Sequence, residues 1–154
     1  MERPPVLFYR FNHLLHRGGI PVLPKIFNWL GRLIFACYLP ASATIGKRFT
    51  LGYWGLGVVI HTASVIGEDC RIAQNVTIGR NFGDQLVPVI GNRVYIGAGS
   101  VLFGEITIGD NVVIGANSVV NKSWPHDSII AGNPAKLIGT TKGKSYLEMD
   151  RVVK

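Results

Sequence analysis

The chain has 154 residues, a formal net charge of +7, 47% hydrophobic residues and 16% charged ones. That length argues one domain, and the apolar fraction is enough for a buried core, which excludes a disordered or purely polyelectrolyte chain. The positive excess sits at the ends: residues 1–40 carry five basic and one acidic side chain, residues 135–154 five and two, and residues 41–134 six of each.

Basic ends suit a phosphate-bearing cofactor, an anionic membrane or an acidic polymer, or they are simply solvated flanks. No basic-aromatic recognition motif accompanies the charge, which argues against nucleic acid. Leu7, Phe11, Leu14 and Leu15 predict a helix over residues 6–16, ended by Gly18-Gly19, Pro21 and Pro24. A second helix is expected over about 25–38, with Ile26, Trp29, Leu30, Leu33 and Ile34 on one side. These helices are expected to cover an open first rung or to form an oligomer contact. Their mixture of apolar and cationic residues also fits a peripheral membrane contact through residues 1–40. The apolar run Ile26–Leu39 contains Arg32 and is too short to span a bilayer. With no signal peptide and no disulfide or metal spacing at Cys37 and Cys70, a cytoplasmic setting is expected, with the inner membrane face as an extension of it.

From residue 60 to 120 an aliphatic recurs every sixth residue: Ile60, Ile66, Ile72, Ile78, Ile90, Ile96, Leu102, Ile108, Ile114 and Val120, with only the Asp84 slot off-type. Glycine follows many of them, as at Gly67, Gly79, Gly91, Gly97, Gly109 and Gly115. A period of six matches neither helix nor simple strand, but fits a solenoid whose rungs each supply one flat side and one corner. A second slot four residues on (Ser64, Cys70, Val76, Val94, Ser100, Ile106, Val112, Ser118) predicts a second inward position for small or branched side chains. Leu51 to Ile60 is nine residues, so three must bulge within residues 52–57. Residues 80–89 are a second irregularity, with Asp84 in the aliphatic slot and Pro88 before the repeat resumes. Interruptions of a repeat are where function concentrates. The organisation read from this pattern is a helical cap over 1–40, rungs over 41–124 and a capping tail over 125–154. Residues 140–154 are expected to be loosely held.

The run Gln74-Asn75-Val76-Thr77-Ile78-Gly79, then Tyr95-Ile96-Gly97-Ala98-Gly99-Ser100-Val101, Ile114-Gly115-Ala116-Asn117-Ser118-Val119-Val120 and Ala131-Gly132-Asn133-Pro134-Ala135-Lys136 resembles the bacterial hexapeptide-repeat acyltransferases, in their serine acetyltransferase-like branch. The resemblance covers residues 41–139. It implies an all-β solenoid, a left-handed parallel β-helix of hexapeptide repeats. It also implies acetyl-CoA as co-substrate and a homotrimer with sites in the clefts between rods. By the same resemblance Gly97, Ala98, Gly115 and Ala116 match the backbone positions that hold pantetheine. Asn121 and Lys122 match residues near the adenosine phosphates, and Lys136 matches a tail cation. The family's Asp-His pair should fall near Cys37 or Tyr38 and at Tyr53 or Trp54, where this chain has neither residue. A large N-terminal helical domain and a C-terminal isoleucine are also missing from the pattern. The chain is therefore similar to the short members that act on surface polysaccharides and their sugar precursors.

Acyl transfer to a hydroxyl needs a base near neutrality and a donor for the oxyanion. Of four histidines only His61 lies within the rungs, directly after Ile60. Counting 18 residues per coil stacks His61, Gly79, Gly97 and Gly115 in one corner column. Three coils rise about 14 Å at the spacing of adjacent strands, comparable to a pantetheine arm. On that count His61 is the general base in a direct, single-step transfer, against the alternative of an ordinary corner histidine. Tyr53 and Trp54 are candidates to stack on a sugar ring, or to pack against the helices. Asp84 and Gln85 are candidates to bond acceptor hydroxyls. No nucleophile motif supports an acyl-enzyme, and one rung histidine does not make the three-histidine zinc set that this fold carries elsewhere, so no metal is expected. Three functions remain open at this point: O-acetylation of a sugar or surface-polysaccharide precursor, serine O-acetylation, and a non-catalytic scaffold in polysaccharide assembly.

Overall fold

A computed structural model describes residues 2–149. Two helices, α1 (Pro4–Arg17) and α2 (Leu23–Phe35), precede fourteen short strands. Proline near the start of each helix costs nothing, since those N–H groups lack an intrahelical partner. The strands are β1 (Thr44–Ile45), β2 (Thr50–Leu51), β3 (Val59–Ile60), β4 (Val65–Ile66), β5 (Arg71–Ile72), β6 (Thr77–Gly79), β7 (Val89–Ile90), β8 (Tyr95–Ile96), β9 (Val101–Phe103), β10 (Thr107–Ile108), β11 (Val113–Ile114), β12 (Val119–Val120), β13 (Ser128–Ala131) and β14 (Lys136–Thr140). A short helix, α3 (Tyr146–Met149), follows.

The strands stack as the three flat sides of a prism. One side is β1-β4-β7-β10, the second β2-β5-β8-β11-β13-β14 and the third β3-β6-β9-β12. Every pairing is parallel except β13 with β14. All ten repeating aliphatics are buried, and so are the eight residues of the second slot. Each coil therefore lays one aliphatic per side into a single central file. Full burial of such a side chain contributes roughly 1.5–3 kcal/mol.

The helices close the first coil. Tyr9 Oη donates to the Ala43 carbonyl at 2.6 Å, His13 Nδ1 to the Ala41 carbonyl at 2.7 Å, and Arg10 to the carbonyls of Ile45 and Gly46. Those carbonyls lie at the end of the first side, where no earlier coil is present to accept a pairing strand. At the other end the solenoid runs further than the repeat predicts. Ile129 and Ile130 continue the column of Val113 and Ile114, so the strands do not stop at Trp124-Pro125. β14 then folds back antiparallel and covers that edge. Residues 141–149 are not loose either. Thr141 and Tyr146 are buried, and Tyr146 Oη donates to the Asp69 carbonyl at 2.8 Å. Residues 150–154 of the expected tail lie outside the described residues.

The pairing also corrects the coil count. Ile60 pairs with Ile78, but Ile78 pairs with Leu102, which is 24 residues on, and Leu102 with Val120. The segment between β6 and β7 is an excursion, not a rung. Asp84 is half-buried outside the aliphatic file, and Phe82 is fully exposed. Because the excursion has the length of one rung, the aliphatic register passes through it unbroken.

Candidate active site

Each coil turns three corners, and the corners differ chemically. The corner after the first side is a structural seam. Arg48 Nε donates to Asp69 Oδ1 at 2.6 Å, Asn92 Nδ2 to Asp110 Oδ1 at 3.2 Å, and Asn111 Nδ2 to Thr141 Oγ1 at 2.9 Å. The Arg48 hydrogen bond, with its charge, holds the Asp69 carboxyl below the usual range. Hydrogen bonds from Asn111 and Thr141 do the same for Asp127. These carboxylates are already engaged in tying coil to coil.

The second corner is bare. Gly52, Ala73, Gly97, Gly115 and Ala131 stack in it, the first four directly after a strand of the second side and Ala131 at the end of β13. Their amides pair coil to coil: Ala73 N–H reaches Ile96 O at 2.9 Å, Gly97 N–H Ile114 O at 2.8 Å and Gly115 N–H Ile130 O at 2.8 Å. The next residues, Ala98 and Ala116, lie outside that ladder. The Ala98 carbonyl accepts from Asn117 N–H at 2.8 Å, whereas neither alanine's own N–H is hydrogen-bonded among the described residues. A flexible amide-bearing chain laid here would find open donors and no side chain in its way. Lys136 sits opposite Ala131, at the C-terminal end of this track. Ala73 and Ala131 belong to it and were not singled out from the sequence, although each follows an inward isoleucine as the glycines do.

At the N-terminal end of the same track stands the first bulge. Gly52–Gly55 makes a tight kinked turn, not a regular helix: Tyr53 (φ 46°) and Trp54 (φ 58°) both take the left-handed backbone region. Consecutive aromatic residues there are costly, and such strain clusters at sites of function. Tyr53 is 75% exposed and Trp54 52%. The bulge lies beside Cys37 and Tyr38: Gly57 N–H bonds Ala36 O and Tyr38 N–H bonds Val58 O, each at 2.8 Å. The two places expected for an Asp-His pair are thus brought together, with other residues in them. Burial pushes the thiols of Cys37 and Cys70 up to about 11. Both stay protonated at neutral pH and are poor nucleophiles. Iodoacetamide is expected to label neither cysteine in the folded protein and both after denaturation, as read by intact mass; fast labelling of Cys37 would reopen a covalent mechanism.

The third corner holds His61. Its column runs His61, Gly79, Phe103, Asn121, because Ile60, Ile78, Leu102 and Val120 pair in register. The expected column of His61 with Gly97 and Gly115 is therefore wrong: those glycines line the bare corner, at the opposite edge of the third side. Asn121 and Lys122 stand above His61 rather than on the bare track, and Lys122 Nζ lies 4.8 Å from the Trp124 ring centroid. The excursion places half-buried Asp84 and exposed Gln85 at this corner too. The His61 ring accepts the Ala63 N–H at Nδ1, 3.1 Å. While that bond lasts, a neutral ring carries its proton on Nε2. To accept a proton at Nε2 the ring must release Ala63, at about 1 kcal/mol. Among the described residues no carboxylate bonds or pairs with the ring.

Comparison with known proteins bears on this arrangement. The family model for the bacterial transferase hexapeptide (six repeats) matches residues 88–122. A serine acetyltransferase of Helicobacter pylori is 37% identical over 135 residues, covering 86% of this chain and 78% of the relative. A protein of Escherichia coli K12 that carries the name colanic acid biosynthesis acetyltransferase WcaB is 42% identical over 113 residues, covering 70% and 69%. Among solved structures, serine acetyltransferase from Brucella abortus in complex with coenzyme A superposes with a TM-score of 0.85 at 30% identity, covering 88% of this chain and 55% of that one. The chain spans 54% of the first curated relative and 56% of the first solved structure, little more than half of each. The three-sided solenoid is the left-handed parallel β-helix expected from the repeats. With its hexapeptide rungs and these two well-covered relatives, the chain belongs to the serine acetyltransferase-like branch of the bacterial hexapeptide-repeat transferases.

Proposed function

We propose that the protein is a CoA-dependent O-acyltransferase that moves an acetyl group from acetyl-CoA to a hydroxyl of a sugar or surface-polysaccharide precursor. The observation that carries the acceptor class is the exposed Tyr53-Trp54 pair at the foot of the bare corner. Flat aromatic faces there suit the apolar face of a sugar ring. The donor's pantetheine arm would lie along Gly97-Ala98 and Gly115-Ala116, its amides meeting the open N–H groups, with Lys136 toward the phosphates. A coenzyme-A-bound relative of the same fold supports that donor.

Within one chain His61 and the bare corner border opposite edges of the third side, which supports a site shared between copies. A closed ring of three copies presents different edges to one another at each contact. The site proposed here is the cleft where the bare corner of one copy meets the His61 corner of the next. Asp84, Gln85, Asn121 and Lys122 then come from the same copy as His61. The acceptor hydroxyl gives its proton to His61 and attacks the thioester carbonyl; the tetrahedral oxyanion takes a backbone N–H, and CoA leaves as the thiol.

A mixing experiment tests the cleft. His61→Ala and Ala116→Trp copies, each inactive alone, are expected to regain activity when unfolded and refolded together. No recovery in trimers proven mixed by mass would place both halves of the site in one chain. The names of many relatives favour a second reading, serine as acceptor. CoA release followed with a thiol reagent separates the two. Faster release with L-serine than with any sugar of a panel would reverse the ordering, and no calorimetric binding of acetyl-CoA would leave only the scaffold.

A further inference from the structure

The helical cap shows a second surface that acyl transfer does not use. With 100° per residue, α1 turns Val6, Tyr9 and Asn12 inward and Leu7, Phe11 and Leu14 outward. Leu14 is 66% exposed. α2 likewise turns Pro24 inward and Ile26, Trp29 and Leu33 outward, Trp29 at 61% and Leu33 at 62% exposure. The helices pack through Phe8 and Phe27 (ring centroids 5.3 Å apart), and Phe11 meets Phe27 at 5.5 Å. The two outward stripes therefore join across the hairpin into one apolar face.

Cations rim this face on both sides. Arg10 and Arg17 lie seven residues, two turns, apart along the outer flank of the α1 stripe. Lys25 and Arg32, also seven apart, flank the α2 stripe on its far side. Arg10 is committed to Glu2 and to the first coil's carbonyls, and Arg3 faces the solenoid beside Arg48 and Thr50; Arg17, Lys25 and Arg32 form the rim. No acidic residue occurs between Glu2 and Glu68.

We propose that this face lies in the plane of an anionic lipid surface, with Leu14, Trp29 and Leu33 among the acyl-chain segments nearest the headgroups and the rim cations at the phosphates. An apolar centre with cations at both edges follows the layering of a bilayer interface, and long cationic side chains reach outward from just such a depth. A second copy is the poorer occupant, because it would bring equally cationic rims together with no acid between them. Crossing the membrane is not the mode: no helix among the described residues is long and apolar enough. The proposal is independent of the acyl-transfer reading, since its test measures no activity.

The full chain is sedimented with vesicles of phosphatidylcholine alone and with one quarter phosphatidylglycerol. Pelleting only with the anionic vesicles is expected, weakening as salt shortens the screening length. Arg17→Ser with Arg32→Ser, and separately Trp29→Ser with Leu33→Ser, should each lower partitioning by about tenfold or more. All four positions are exposed, so unchanged circular-dichroism melts are expected. Equal pelleting with neutral vesicles, or none with either, overturns the proposal. So does a Trp29→Ser, Leu33→Ser variant whose assembly shrinks in sedimentation velocity, because the face would then be covered by another copy.

Discussion

His61→Ala is expected to lower kcat/KM for acetyl transfer by about 10²- to 10⁴-fold, the range for losing a positioned general base. Calorimetric binding of acetyl-CoA should change little, because the proposed coenzyme track is made of Gly97, Ala98, Gly115 and Ala116, whose coil-to-coil hydrogen bonds do not involve His61. This split between binding and rate separates a base from a residue that merely shapes the fold. The fold itself is not at stake. The side chain of His61 is only half-buried, and it accepts a hydrogen bond from Ala63 N–H two residues along. His61→Gln, which keeps a polar side chain but cannot take the proton, should be as slow as His61→Ala. A variant that transfers acetyl at near-normal rate would move the base elsewhere and leave His61 a corner residue.

A large structural effect is expected at Gly97. A Cβ built there would fall 2.5 Å from Ala116 N and 2.8 Å from Gly115 C and Ile114 O. All three are backbone atoms of the next coil, fixed by the Gly97 N–H to Ile114 O bond of 2.8 Å. No rotamer change relieves that contact, so the coils must part and break the ladder. Gly97→Val should destabilise by about 3 kcal/mol, the upper end for overpacking. For a chain of this size that lowers Tm by about 6–12 °C. Gly79→Ala makes the control. The nearest heavy atom to its Cβ is Thr77 Cγ2 at 3.9 Å, and its melting should barely move. Equal melting of Gly97→Val and wild type would mean that the bare corner is looser than the pairing implies.

The contrast between these two glycines shows what a repeat makes legible. Gly79 and Gly97 both follow an inward isoleucine and read alike in sequence. One opens onto the excursion, and the other is pressed against the coil above. The inward file could be read correctly because burial of Ile60, Ile66 or Ile96 depends only on position within a rung. The second slot, the bulge after Leu51 and the two helices were legible for the same local reason. The candidate site was legible only in parts. The bare track's Gly97, Ala98, Gly115 and Ala116, its end cation Lys136 and the aromatic bulge did fall on one corner. His61, Asn121 and Lys122 fell on another.

The sequence by itself determined that this chain is a three-sided prism of six-residue rungs, that aliphatics fill its axis, and that its first coil is covered by two cationic, apolar-faced helices. Tertiary structure alone decided which corners stack. Stacking is set by backbone hydrogen bonds between coils, and these pair Ile78 with Leu102 across an excursion as long as one rung. Hydrophobic phase is blind to an insertion of a whole period. Hence the imidazole and the bare track stand at different corners of one chain.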